Sequence, residues 1–282
     1  MTRQLVDGVR YEVRVSGNGP PLLLLHGFTG RGAYWGPHLP VLGRSFTTIV
    51  VDLLGHGRSD SPEDPARHAV ERQAADLAVI IGHVAGGPAD VIGYSFGARV
   101  ALMLALDAPL SVRRLVLESP SGGIADPVER QLRRAADEAL ATDLERDGTA
   151  AFVARWESLP LFASQADLSP AVRRRLHDGR LRNRPSGLSA SLRGAGQGTM
   201  TSLHSRLSQV RAATLVVTGE LDPVRARSEL VARGIPGARL AVVDGVGHAP
   251  DVEAPTRFRA VVMPFISAQN TPAPTTTAEE IA

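Results

Sequence analysis

The chain has 282 residues, 43% of them hydrophobic, and a formal charge of +2, enough apolar material for one large α/β domain or one domain with an insertion. It contains neither cysteine nor lysine, which excludes disulfides, thiolate nucleophiles, cysteine-held zinc, Schiff-base lysines and a Walker-type phosphate loop. All 31 basic residues are arginine and none are massed in one arm, no apolar run approaches the ~20 residues of a membrane span, and the N-terminus lacks a signal-like apolar stretch, so a cytoplasmic protein with no nucleic-acid partner is expected.

In chain order, Leu5–Val15 alternates and breaks at Gly17-Asn-Gly, the mark of an opening hairpin strand. Leu22–Leu25 and Thr47–Val51 are short, wholly apolar runs, as buried central strands should be. Ala69–Val84 has helical periodicity. Ala89–Ile92 reads as a strand, Ala98–Leu106 as a helix, and Arg114–Leu117 as a further strand. This alternation predicts a doubly wound, mostly parallel sheet. From Ser119 to Ser205 the pattern changes. Asp126–Asp147, Thr149–Ser158, Ser169–Asn183 and Ser186–Ala195 read as helices separated by Gly and Pro, with no convincing strand. Strands resume at Thr214–Thr218 and Leu240–Val243, and Thr256–Ser267 closes with a helix. The expected organisation is a core of residues 1–118 and 206–267, interrupted by a helical lid at 119–205 and followed by a disordered Thr-, Pro- and Ala-rich tail at 268–282.

Gly93-Tyr-Ser-Phe-Gly stands between the strand Ala89–Ile92 and the helix Ala98–Leu106. That is G-x-S-x-G in the strand–turn–helix context of a nucleophile elbow, where glycines permit a sharp turn that lifts Ser95 clear of the sheet. Its partners follow in the order Ser…Asp…His, the order of the α/β-hydrolase fold. Asp222 lies in Gly219-Glu-Leu-Asp-Pro after a strand, and His248 in Gly245-Val-Gly-His-Ala-Pro. Serine alone is a poor nucleophile or base and needs an adjacent imidazole, which a carboxylate holds in the right tautomer. Glu220, Asp244 and Asp251 are alternatives for the acid, with Asp222 favoured. In this fold the loop His26-Gly-Phe supplies one oxyanion-hole N–H, here from Phe28, and the residue after the nucleophile, Phe96, supplies the other. His26 and His56 read as structural residues of the two loops that follow the first central strands. No metal site and no cofactor are expected.

The elbow continues as Gly97-Ala-Arg-Val-Ala-Leu, placing Arg99 one helical turn behind Ser95. With it go Leu117-Glu-Ser-Pro-Ser-Gly-Gly-Ile, Glu129-Arg-Gln-Leu-Arg-Arg, Phe152-Val-Ala-Arg-Trp-Glu-Ser-Leu-Pro-Leu-Phe-Ala-Ser-Gln, Arg180-Leu-Arg-Asn and Gly187-Leu-Ser-Ala-Ser-Leu-Arg-Gly. Together with His26-Gly-Phe-Thr-Gly, this series resembles the 2-succinyl-6-hydroxy-2,4-cyclohexadiene-1-carboxylate synthases, menaquinone-pathway lyases of the α/β-hydrolase superfamily, over roughly residues 20–265. The resemblance implies a small-molecule polycarboxylate substrate bearing an enolpyruvyl ether, from which a proton is removed and pyruvate eliminated. It also implies that Arg99, Arg130, Arg180 and Arg182 bind carboxylates, with Arg134 a weaker candidate, and that Tyr94 and Trp156 are pocket aromatics. The sequence departs from the family pattern at Met200, at His204 and in Pro223-Val-Arg after Asp222. A serine hydrolase of esters, or of carbon–carbon bonds in ring-cleavage products, shares every triad feature. A non-catalytic binding protein on the same fold is a third class, one that tolerates loss of triad members. Oligomeric state is not legible.

Overall fold

The computed structural model describes residues 2–268; the expected tail, apart from Ala268, lies outside the described residues. The first two strands, β1 (Thr2–Val6) and β2 (Val9–Ser16), form a hairpin that turns at Asp7-Gly8, both at positive φ. This corrects the single strand expected over Leu5–Val15. Alternation runs on across a two-residue turn, but Asp-Gly is itself a hairpin signal. There follow β3 (Pro21–Leu25), a short helix α1 (Leu39–Leu42), β4 (Thr47–Val51), α2 (Val70–Ala85), β5 (Ala89–Tyr94), α3 (Phe96–Asp107) and β6 (Val112–Glu118).

Between β6 and the next strand the described residues are helical, with no strand: α4 (Pro127–Glu157), a 3₁₀ stretch at Pro160–Asp167, α5 (Pro170–Leu181) and α6 (Pro185–Ala195). Asp126 and Ser169 cap α4 and α5 by accepting from the N–H three residues on, and Pro occupies the first turn of each, where its missing donor costs nothing. Gly148 interrupts α4 at φ 79°, where a break between two helices was expected. The chain closes with β7 (Ala213–Gly219), α7 (Arg225–Gly234), β8 (Arg239–Val243), α8 (Pro250–Glu253) and α9 (Pro255–Ser267).

The eight strands lie in the order β1-β2-β4-β3-β5-β6-β7-β8. Pairing is antiparallel through β1, β2 and β4 and parallel from β4 to β8. Both faces are covered. In β3, Leu23 and Leu25 join the cluster built with α2, α3 and α7, while Leu22 and Leu24 join the one built with α1, α8 and α9. Such a strand needs apolar residues at every position, which explains the unbroken Leu22–Leu25 run. In a parallel sheet covered in this way, the loops at the C-terminal ends of the strands share one rim, and functional groups collect there.

Candidate active site

Ser95 leaves the end of β5 at φ 50° and ψ −102°, outside the regions an L-residue favours. The strain is held by the packing of two glycines. A Cβ on Gly93 would run into the Gly97 carbonyl, and one on Gly97 into the Leu25 carbonyl of β3. Ser95 N donates to the Glu118 carbonyl at 2.8 Å, which fixes the turn to the neighbouring strand.

His248, on the loop after β8, brings Nε2 to 2.9 Å from Ser95 Oγ and Nδ1 to 2.9 Å from Asp222 Oδ2. With the proton on Nδ1, the ring donates to Asp222 and accepts from the serine hydroxyl. Burial pushes the Asp222 carboxyl up, but the His248 hydrogen bond and charge, with the Val224 N–H, bring it below its ordinary value. The other acids considered are occupied elsewhere. Glu220 accepts from Gly245 N at 2.8 Å, and Asp251 accepts from Tyr34 Oη at 2.6 Å. Asp244 meets Arg257 through its backbone carbonyl alone.

Ser95 and His248 open onto a cavity of about 840 Å³, within the range of small-molecule sites. Phe28 and Phe96 line it. Phe96 is the first residue of α3, so its N–H has no acceptor within the helix. The Phe28 ring meets Trp156 edge-on at 5.3 Å, and Trp156 stacks on Phe152 at 5.6 Å. The buried Trp156 indole N–H has no partner among the described residues. Tyr94 lies 5.6 Å from the His248 ring and stacks on Tyr34 at 5.3 Å.

Eight arginines, among them Arg31, Arg99, Arg133, Arg180 and Arg182, line this cavity against one acid, Asp178. Arg99 is 8% exposed, one turn along α3 from Ser95. It donates to the Ala195 carbonyl at 2.7 Å and to Met200 Sδ at 3.2 Å and meets no carboxylate among the described residues. Burial, aided by Arg133, pushes its pKa down to about 9, so it stays charged at neutral pH. Met200, one of the departures from the family pattern, is thus a neighbour of Arg99. A second departure, His204, points Nε2 at the Gly123 carbonyl, 3.3 Å away. Arg180 is joined to Glu157 at 2.7 Å and lies over the Phe162 ring.

Arg130 is not among the residues lining the cavity, and Arg134 is exposed. Arg133, on the same helix, lines it instead. Its Nε meets the buried Asp137 at 2.8 Å, one turn on, which fixes it to the inner face of α4.

His26 and His56 hold loops rather than facing Ser95. His26 Nε2 accepts from Leu53 N at 3.0 Å, while its Nδ1–H donates to the Gly27 carbonyl at 2.8 Å. Burial lowers His26 to about 4 and His56 to about 3, so both are neutral. Among the described residues no group of His, Asp and Glu is placed to hold a metal ion, and no helix is long and apolar enough to cross a membrane.

Comparison with known proteins agrees with this architecture. A family model described as alpha/beta hydrolase fold matches residues 20–255. A Bacillus subtilis (strain 168) protein named "Putative 2-succinyl-6-hydroxy-2,4-cyclohexadiene-1-carboxylate synthase" is 39% identical over 93% of this chain and 96% of its own. The 2-hydroxymuconate semialdehyde hydrolase of Pseudomonas sp. (strain CF600) is 29% identical over 93% of this chain and 92% of its own. The structure of MenH from S. aureus superposes with a TM-score of 0.86 at 29% identity, covering 91% of this chain and 97% of that one. The chain is therefore an enzyme of the alpha/beta hydrolase fold family, and within it a relative of the 2-succinyl-6-hydroxy-2,4-cyclohexadiene-1-carboxylate synthases.

Proposed function

We propose that the protein is a carbon–oxygen lyase of menaquinone biosynthesis. It eliminates pyruvate from an enolpyruvyl-bearing succinyl cyclohexene carboxylate to give 2-succinyl-6-hydroxy-2,4-cyclohexadiene-1-carboxylate, in the cytoplasm. The observation that carries this reading is the excess of arginine around Ser95, above all the buried Arg99 without a carboxylate partner. A buried charge left unpaired is costly, so the site is built for an anionic ligand that completes it. An ester hydrolase has no need of that excess.

In this reading Asp222 orients His248, and His248 takes the Ser95 proton as Ser95 Oγ removes a proton from a ring carbon. The freed electron pair forms the new ring double bond and the C–O bond to the enolpyruvyl group breaks. The departing enolate becomes pyruvate by taking up a proton, which His248 can return. No acyl-enzyme forms. The N–H groups of Phe28 and Phe96 hold the developing charge or a substrate carboxylate. Arg99, Arg133, Arg180 and Arg182 hold carboxylates, and the Trp156 indole and Tyr94 complete the wall. Residues 119–205 act as a lid over a core of residues 1–118 and 206–267.

The test is pyruvate release from the enolpyruvyl substrate by purified protein, with a chromogenic ester run beside it. Pyruvate without ester turnover is expected. Arg99→Lys keeps the charge but loses the planar fork, so it should lower the rate markedly. The relay geometry and the ring-cleavage relative favour a second reading, a serine hydrolase. Turnover of esters or ring-cleavage diketones with no pyruvate would put that reading in place of the first.

A further inference from the structure

We propose that Arg31, with Arg182, forms a second anion subsite at the open edge of the cavity, one that takes a ligand carboxylate remote from the reacting carbon. Arg31 lies on the loop after β3, three residues past Phe28, and Arg182 caps the C-terminus of α5. Both line the cavity, Arg31 half-buried and Arg182 exposed at its edge. The buried Nε of Arg31 has no hydrogen-bond partner.

Of the cavity's six other arginines, three are answered by carboxylates. Arg133 meets Asp137, Arg180 meets Glu157 and Arg227 meets Glu129. Neither Arg31 nor Arg182 makes an ion pair with a carboxylate among the described residues. Asp178 stands one turn before Arg182 on α5 without pairing to it. The surroundings of Arg31 disfavour its charge: burial holds its pKa down, and Arg182 and Arg58 add repulsion. Asp52 opposes this, but each of its carboxylate oxygens is taken by a backbone donor, Gly32 N and Arg58 N. An arginine held beside another in the cavity wall, neither of them paired with a carboxylate, is completed by an anion that the two guanidinium groups share. Arg99 answers a charge near Ser95 from α3, whereas Arg31 and Arg182 answer one from the loop after β3 and the end of α5. The pair of subsites therefore selects a ligand with two separated carboxylates.

The inference deepens the lyase reading and rests on it for the identity of the ligand. The subsite is tested by binding alone, with the full-length protein and two probes. 2-Succinylbenzoate carries a terminal carboxylate, and 2-butanoylbenzoate has the same skeleton without it. Calorimetric titration should show the wild type favouring the succinyl compound. Arg31→Met should cut that preference on the order of tenfold while binding the butanoyl compound as before, the scale expected for a hydrogen bond to a charged group. Arg31→Lys, which keeps the charge, should retain part of the preference and serves if Arg31→Met does not fold. A wild type with no preference, an Arg31→Met protein with the full preference, or equal loss of both ligands would each overturn the subsite. Failure of the lyase reading looks different: the carboxylate preference and its loss on substitution persist, but the wild type releases no pyruvate.

Discussion

Asn183 donates from Nδ2 to the Thr29 carbonyl at 2.6 Å. Its Oδ1 accepts from Gly57 N at 2.8 Å, and the side chain is buried. The short link between α5 and α6 therefore grips two rim loops at once. One of them carries Phe28, and Thr29 itself sits at φ 65°. Asn183→Ala leaves a buried donor and a buried acceptor unmatched. It should cost about 1–3 kcal/mol of stability and reduce kcat more than it raises KM, because the loop that presents the Phe28 N–H loosens. Chemical denaturation and steady-state kinetics read the two effects separately; unchanged kcat in a destabilised protein would show that the grip serves stability alone.

Ser95→Ala removes the group that the proposed mechanism sets against the substrate. Turnover should fall on the order of 10³-fold or more, and His248→Ala should match it, because the two act as a unit. Pyruvate release by the folded variants is the measurement. Near-wild-type rates in Ser95→Ala would defeat proton abstraction through that hydroxyl.

Arg133 and Arg130 offer an internal control. Arg133→Gln should lower kcat/KM on the order of tenfold or more, the value of a lost charge-assisted bond. Arg130→Gln should stay within about twofold, because Arg130 lies outside the cavity lining. Equal effects of the two would mean that α4 reorients when ligand binds.

The neutral histidines beneath the rim set an acid limit. Free imidazole titrates near 6.5, while His26 and His56 are lowered by burial to about 4 and about 3. Between those values the unfolded chain binds more protons than the folded one, so stability is held above pH 6.5 and falls as pH drops toward 4. His26→Gln keeps an acceptor for Leu53 N–H without a titrating ring. The melting temperature of this variant should decline less steeply than that of the wild type between pH 6.5 and 4. Parallel curves would mean that other groups govern the acid limb.

Residues with local signatures were legible in the sequence. The strands Leu22–Leu25 and Thr47–Val51 announce themselves because burial on two faces demands unbroken apolar runs. Ser95, Asp222 and His248 could be found because each follows a strand, and the structure brings all three within hydrogen-bonding reach. The helix Arg225–Gly234 went unseen, because its sequence is largely polar and few of its residues are buried. That Arg133 rather than Arg130 lines the cavity is not legible from spacing, because a helix fixes spacing but not phase; the buried Asp137 sets the phase. Contacts such as Asp251 N to Glu118 Oε1, at 2.8 Å behind the Tyr34–Tyr94 stack, join residues too distant in the chain for any local pattern to register.

β6 and β7 pair directly, Leu117 opposite Val216, although residues 119–212 separate them in the chain. Ser119, the first residue of that stretch, still donates to the Val217 carbonyl of β7 at 2.8 Å, and closing a longer excursion adds only about 0.6 kcal/mol for each doubling of its length. Most of the arginines around the cavity belong to the excursion, whereas Ser95, Asp222 and His248 all hang from the sheet. The two parts can therefore change at different rates over evolution. A rewritten excursion would bring a new cavity wall to an unaltered set of Ser95, Asp222 and His248, and engineers could exchange that segment without redesigning the sheet beneath it.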